Sequence, residues 1–365
     1  MKTLIEIYDD DQMLNLLSFY QLNPDRVVFI YTEKQEPLLH NSLIERKIRN
    51  TEYILYQDQE PAGLLEPYRD DEVYVDIQGG NELTAVKLSR LLGKTVCYSD
   101  LDKKKYFLLK GDSQKSADLI MPKLTVREIV ELYGGLVRNL PEEYFDDHGR
   151  KAVEECMAAR RKNSKKWNAF CKTMGSLGTG SHELSVWKAD RKFYQDFSAV
   201  LAQLDHVFDK VEFTGESCFM HFHDTAYQIL VTDTGVPFEY ETYYQITDSG
   251  AFDDVDLRVN IDWNGGEFVS GDPNSELDVV ASKDSRLISI SCKAGKYDQQ
   301  AIYEVKANAD KFGGSRAVPV LCVDIDMERP EYVEKAREIG VLLIEHGQMR
   351  EKKAAKMILE WMETH

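Results

Sequence analysis

The 365-residue chain has no long apolar run, no closely paired cysteines and no surplus of basic charge. A membrane-spanning helix needs roughly 18 or more consecutive apolar residues, and none occurs. The start, MKTLIEIYDDD, offers one lysine and a short apolar stretch before a run of acids. A secretory signal needs a longer apolar core and a small-residue cleavage site. A cytoplasmic protein with no membrane partner is therefore expected. The cysteines (Cys97, Cys156, Cys171, Cys218, Cys292 and Cys322) are scattered, which argues against a zinc module built from close ligand pairs. Reduced, mostly buried thiols are the expectation. The formal net charge of −18 argues against a constitutive, non-specific nucleic-acid binder, because such affinity comes from neutralising phosphates. Any nucleic-acid activity must be locally organised, weak at rest or metal-dependent.

What is present is ordinary for a soluble globular protein: 43% hydrophobic and 30% charged residues, in a length that favours two domains. Residues 1–115 alternate β-rich runs with helical spacing. Thr3 to Tyr8, Arg26 to Tyr31, Glu52 to Tyr56, Val73 to Ile77 and Thr95 to Ser99 read as strands. Met13 to Phe19, Leu38 to Ile48 and Leu83 to Leu92 read as helices. That alternation predicts a parallel sheet with helices on both faces, whose ligands sit at the carboxyl ends of the strands. Residues 116–225 read as a mostly helical linker, with helices over Leu124 to Tyr133 and Arg150 to Lys172. Within it, Arg160 to Lys172 carries six Lys or Arg and no acid, either a solvated face or a guide for a nucleic-acid backbone. Gly175 to Ser181 reads as a flexible loop without the Gly-Lys-Ser/Thr ending of a phosphate-binding Walker loop. His221 and His223 share one face of a strand, but only two metal ligands are in view.

Residues 226–365 form a third part, with strands at Val318 to Asp324 and Val341 to Glu345 around a helical Pro330 to Ile339. Its most informative segment is Asn274 to Gly295, NSELDVVASKDSRLISISCKAG. Two apolar runs flank the polar turn Ser282 to Ser285, the pattern of a β-hairpin. Alternation places Leu277 and Val279 on the core face with Ile288, Ile290 and Cys292. It places Asp278 on the other face with Ser289, Ser291 and Lys293, where Leu287 is the exception. A carboxylate on one strand and an acid-x-Lys pair on the next form the core of PD-(D/E)xK nucleases. Phosphodiester hydrolysis there uses hard oxygen ligands for Mg²⁺ or Mn²⁺, and a lysine to orient water and stabilise the developing charge.

The C-terminal block resembles the nuclease domain of CARF-nuclease effectors, accessory proteins of type III CRISPR systems switched on by cyclic oligoadenylate. The resemblance rests on GVPFEYETYYQI from Gly235, SELDVV from Ser275, SCKAG from Ser291 and AIYEVKANADKFGGSRAVPVLCV from Ala301, in the family's order. It implies Glu239 as the helix carboxylate, Asp278 as a metal ligand assisted by Glu276, and Lys293 as the catalytic lysine. Ser291 stands where the family has the acid. That departure leaves three explanations: a natural variant with the acid supplied elsewhere, a weakened site, or an engineered change.

The N-terminal part is similar to the CARF sensor domain. Gly79 and Gly80 end a strand before a helix, where backbone N–H groups favour phosphate. The resemblance implies a ligand site built from Asp10, Asp11, Gln12, Thr32, Gln78, Gly79, Gly80, Asn81 and Glu82, with Asn81 and Glu82 in place of the usual Thr and Lys. It implies an α/β protein with an N-terminal Rossmann-like CARF domain and a C-terminal restriction-endonuclease-like domain. It further implies a homodimer, cyclic tetra-adenylate as activator, and single-stranded DNA or RNA as substrate. Two other readings stay open: a catalytically silent cyclic-oligoadenylate sensor, and a ring nuclease that cleaves the messenger.

Overall fold

The computed structural model describes residues 1–34, 50–56, 61–79, 82–89, 94–139, 145–178, 185–262, 274–325 and 330–365. The helix expected at Leu38 to Ile48 and the positions Gly80 and Asn81 lie outside them. The described chain carries three sheets. The first is formed by β1 (Lys2–Ile7), β2 (Arg26–Tyr31), β3 (Thr51–Leu55), β4 (Glu72–Asp76), β5 (Thr95–Asp100), β6 (Lys105–Lys110) and β7 (Ser113–Asp118). Strands β1 to β5 pair in parallel and β6 and β7 add antiparallel edges. The runs TLIEI and VVFI are buried almost throughout, as expected of central parallel strands covered on both faces.

The strand order β3-β2-β1-β4-β5-β6-β7 reverses at β1. The chain leaves β1 toward β2 on one side and returns through β4 on the other. The loops after β1 and β4 therefore lie at the strand-order reversal, the usual ligand position in an open α/β sheet. Helix α1 (Leu14–Leu22) follows β1 and ends at Asn23, whose left-handed backbone (φ 46°) lets its N–H cap the Phe19 carbonyl. The Asn-Pro-Asp triplet before β2 thus begins with a helix terminator. Helices α2 (Pro61–Leu65) and α3 (Glu82–Ser89) precede and follow β4.

The middle stretch holds α4 (Val126–Leu132), α5 (Asp147–Lys162), α6 (Ser164–Gly178) and α7 (Arg191–Leu201), and also strands that the sequence did not announce. β8 (Leu136–Asn139) is short. β9 (Val186–Asp190), β10 (Phe208–Thr214) and β11 (Ser217–Phe222) form a separate antiparallel sheet. The helix expected over Arg150 to Lys172 is two, broken at Asn163, whose extended backbone (φ −157°, ψ 88°) stops α5. Its side-chain oxygen then accepts the Lys166 N–H at 3.0 Å and starts α6.

The third sheet has the order β16-β15-β14-β13-β12-β8. It comprises β12 (Asp254–Asp262), β13 (Asn274–Lys283), β14 (Arg286–Lys293), β15 (Val318–Val323), β16 (Leu342–Ile344) and β8 from the middle stretch. Helices α8 (Gln228–Thr232), α9 (Val236–Thr247), α12 (His346–Arg350) and α13 (Ala354–Thr364) share one apolar cluster with Val279, Ile290, Val318 and Val320. Helices α10 (Gln299–Gly313) and α11 (Pro330–Glu338) pack on Leu321 and Val323, on the opposite face. A further cluster runs from Leu4 and Phe29 through Val126 and Ile129 of α4 to Val259, Leu277 and Leu287. The first and third sheets therefore share an apolar seam through α4. No described helix is long and apolar enough to cross a membrane. All six cysteines are buried free thiols, as the spacing implied.

Candidate functional site

The hairpin forms, but it does not carry the expected faces. Its ladder pairs Lys283 with Arg286 and continues to Val279 opposite Ile290. There the strands fork, and the Asp278 carboxylate takes over: its Oδ2 accepts the Cys292 N–H at 2.7 Å and the Ser291 hydroxyl at 3.2 Å. On the other side, β12 pairs Leu257 with Val279 and Val259 with Leu277, so Arg258 stands opposite Asp278. Arg258 has φ 55°, a left-handed backbone in the middle of a strand. Such strain in a non-glycine residue persists only where surroundings enforce it. Simple alternation breaks at this step. Leu277 packs with Val259, Val280, Leu287 and Phe312, whereas Val279 packs with Ile288, Ile290 and Cys292. Leu287, the apparent exception, is fully buried, and so is Ser289. Both sheet faces are covered beside the site.

Helix α9 aims Glu239 from its first turn at the same fork. Burial, the negative charge of Asp278 and further repulsion from Asp233 and Glu276 push the Glu239 carboxyl up to about 8, against the pull of Arg258. Burial also raises Asp278, although the Cys292 N–H, Lys293 and the Ser291 hydroxyl act the other way. Arg258 holds Glu276 at 3.0 Å and lies 3.8 Å from Glu239. Glu276 is thus an ion-pair partner at the rim, with its side chain 44% exposed. The structure brings Asp278, Ser291 and Lys293 of the hairpin together with Glu239, the carboxylate implied by the resemblance. Arg258 was missed, because an isolated arginine in a strand carries no sequence signal. Among the described residues no three His, Cys, Asp or Glu side chains converge as a ready metal cage.

A second polar node braces this site. Asp324, at the end of β15, donates its N–H to the Lys293 carbonyl at 3.1 Å. Its buried carboxylate accepts Arg160, Arg161 at 3.3 Å and His346 at 2.8 Å. Arg161 also grips Glu241 of α9 through two bonds of 2.8 and 2.6 Å. The first two residues of the basic segment are therefore structural pins. His221 and His223 do not share a ligand: His221 pairs with Glu212, and His223 pairs with Asp209 and stacks on His148.

In the first sheet, the loops after β1 and β4 meet at the strand-order reversal. A side chain at Gly79 would collide with the Ile7 carbonyl, so only glycine lets the two loops cross. The Gln78 side chain is fully engaged, bonding the Ser99 carbonyl at 2.8 Å and the Ser99 N–H at 3.1 Å. Gln12 is buried, accepting the Tyr8 hydroxyl at 2.7 Å. Asp10 and Thr32 stand in the loops after β1 and β2, and Glu82 begins α3. Asp11 reaches outward instead, accepting the Tyr133 hydroxyl beyond α4 and the Ser315 hydroxyl at 2.5 Å beyond α10. Beneath the loops, Glu6 and Asp76 lie side by side on β1 and β4, both buried, and burial lifts Asp76 to about 6.

The chain thus joins a Rossmann-like sheet to a mixed sheet whose hairpin forks around a carboxylate. Residues 230–364 match the family model for the Card1-like endonuclease domain. The matched span contains Glu239, Asp278, Ser291 and Lys293. Over the whole chain the fold is similar to that of protein VC1899 from Vibrio cholerae, with a TM-score of 0.77, 14% identity, and coverage of 99% of this chain and 98% of that one. It is also similar to Can2 from Sulfobacillus thermosulfidooxidans, solved with cyclic tetra-adenylate, with a TM-score of 0.70, 16% identity and 99% coverage of both chains. A type III CRISPR defence DNA nuclease activated by cyclic oligoadenylate matches with a TM-score of 0.53 and 14% identity, over 97% of this chain and 51% of that one. At these identities the likeness establishes the fold. Among curated proteins, none matches the chain by sequence.

Proposed function

We propose that the protein is a cyclic-oligoadenylate-activated, metal-dependent endonuclease of type III CRISPR defence that cuts single-stranded DNA, RNA or both. The observation that carries the reading is the fork: two half-buried carboxylates, Glu239 and Asp278, repel each other beside Lys293 within the span matched to an endonuclease domain. Two hard, mutually repelling oxygen donors fit a divalent cation. Mg²⁺ or Mn²⁺ commonly takes one or two carboxylates and completes its shell with water and substrate phosphate. Glu239 and Asp278 would hold it, and the bound ion would polarise the phosphate and acidify water. Lys293 supplies positive charge for the developing oxyanion. Ser291 donates to Asp278 and orients it without adding charge.

Sensing belongs to the first sheet, at the crevice where the loops after β1 and β4 meet. Cleavage belongs to the third sheet. Cyclic tetra-adenylate is the proposed activator, in keeping with the ligand named for Can2. A ring with internal two-fold symmetry matches an isologous homodimer, in which each protomer lends the same loops. Activation then requires that the ring bind the cutting arrangement more tightly than the resting one.

The test is cleavage of fluorescent single-stranded DNA and RNA by the full chain, with and without cyclic tetra-adenylate and Mn²⁺. Cutting that needs both additions is the expected result. Tight ring binding without cutting would instead favour a silent sensor, the reading that Ser291 supports. Consumption of the ring with intact strands would favour a ring nuclease.

A further inference from the structure

We infer that the exposed lysines at the junction of α5 and α6, Lys162, Lys165 and Lys166, form the track that holds the sugar-phosphate backbone of the strand being cut. The inference rests on the nuclease reading above. Its first support is position. Arg160 and Arg161 are locked to Asp324, and Asp324 is hydrogen-bonded through its own backbone to Lys293. One residue therefore touches both the end of α5 and the strand carrying the candidate lysine. The chain continues directly from Arg161 into Lys162, around Asn163, to Lys165 and Lys166, all exposed to solvent. Lys296, three residues past Lys293, is exposed as well.

The second support is that helix electrostatics explain Lys162 but not Lys165 and Lys166. Cations in the last turn of α5 do complement its helix dipole, which accounts for Arg160, Arg161 and Lys162. Lys165 and Lys166, however, occupy the first turn of α6, where no acid is present and where the dipole disfavours cations. Neither Lys162 nor Lys165 forms an ion pair with a described residue, and Lys166 rests over the Phe197 ring at 5.1 Å. Like charges crowd a helix start that they destabilise. Removing them should stabilise α6, so their presence calls for an external anion. In a chain of net charge −18, such a cluster, continuous with the arginines pinned to Asp324, offers a polyanion local counter-charge. Among the described residues, the aromatics on α6 and α7 beside it, Trp167 and Phe197, are buried, so the cluster presents ammonium groups that grip phosphates rather than read bases.

The test uses the full chain loaded with cyclic tetra-adenylate. Binding is measured in an Asp278→Asn background by anisotropy of a labelled single strand across a salt series. The triple variant Lys162→Glu, Lys165→Glu, Lys166→Glu should bind about tenfold or more weakly, with the salt slope reduced by about 2. A control with the same charge change on the β5–β7 edge, Lys104→Glu, Lys110→Glu, Lys115→Glu, should stay within about twofold of the parent. With Asp278 restored, the junction variant should show a raised KM and nearly unchanged saturated turnover. If the parent binds and cuts while the junction variant matches the control, the track is refuted and the nuclease reading stands. If the loaded parent neither binds nor cuts a strand, both fail together.

Discussion

Replacing Glu239 by glutamine should stabilise the metal-free protein at alkaline pH while abolishing cleavage. The unfolded carboxyl titrates near 4.5, whereas the folded one holds its proton up to about 8. Between those values the folded state binds more protons than the unfolded state, so the stability that Glu239 allows is complete below 4.5 and is lost as pH rises toward 8. Glutamine mimics the protonated acid and never incurs that loss. At about 1.4 kcal/mol per pH unit, the interval sets a ceiling of about 5 kcal/mol. The side chain is 15% exposed and Arg258 lies 3.8 Å away, so solvent and that guanidinium reduce the effect. About 1–2 kcal/mol is the expected remainder. In chelator, the melting temperatures of the two proteins should nearly coincide at pH 4.5 and diverge by about 2–8 °C at pH 8.5. Parallel curves across that range would refute a strained, proton-holding Glu239. Adding Mn²⁺ at pH 8 should stabilise the wild type and not the variant.

Ser291→Glu places a third carboxylate beside Asp278 and Glu239, so it should lower metal-free stability and raise Mn²⁺-dependent cutting severalfold in the strand-cleavage assay. Asp324→Asn leaves the buried Arg160 without its counter-charge and should cost about 3–5 kcal/mol by urea unfolding. Gly314→Ala meets two obstacles, a left-handed backbone at φ 67° and the Tyr133 ring, and should destabilise by about 2–3 kcal/mol in the same assay.

The hydrophobic run of a fully buried strand survives translation into one dimension, which is why β1, β2, β4, β13, β14 and β15 were legible. The half-polar edge strands were not: β9 alternates over only five residues, and β10 buries little beyond Phe208. The middle stretch therefore read as helix and linker although it lends β8 to the third sheet. At the site, Asp278 and Lys293 were legible from strand spacing, and Glu239 only through resemblance. What spacing could not supply was the break in alternation, because it depends on one backbone angle at Arg258. The role of Asp324 was equally hidden, since its two arginine partners come from a segment more than 160 residues away.

Asp11 ties the crevice of the first sheet to the ends of α4 and α10 in a way that constrains both sides. Its carboxylate already belongs to Tyr133 and Ser315, on either side of the apolar seam. On the proposed function, a polyanionic ring entering above the acidic loop shifts that carboxylate by competing with those hydroxyls and with the Met13 N–H. Linkage is reciprocal: whatever ring binding does to the Tyr133–Ser315 contact, that contact does to ring affinity by the same factor. On the proposed function, sensitivity to the ring is therefore set partly outside the first sheet, at the Tyr133 and Ser315 hydroxyls.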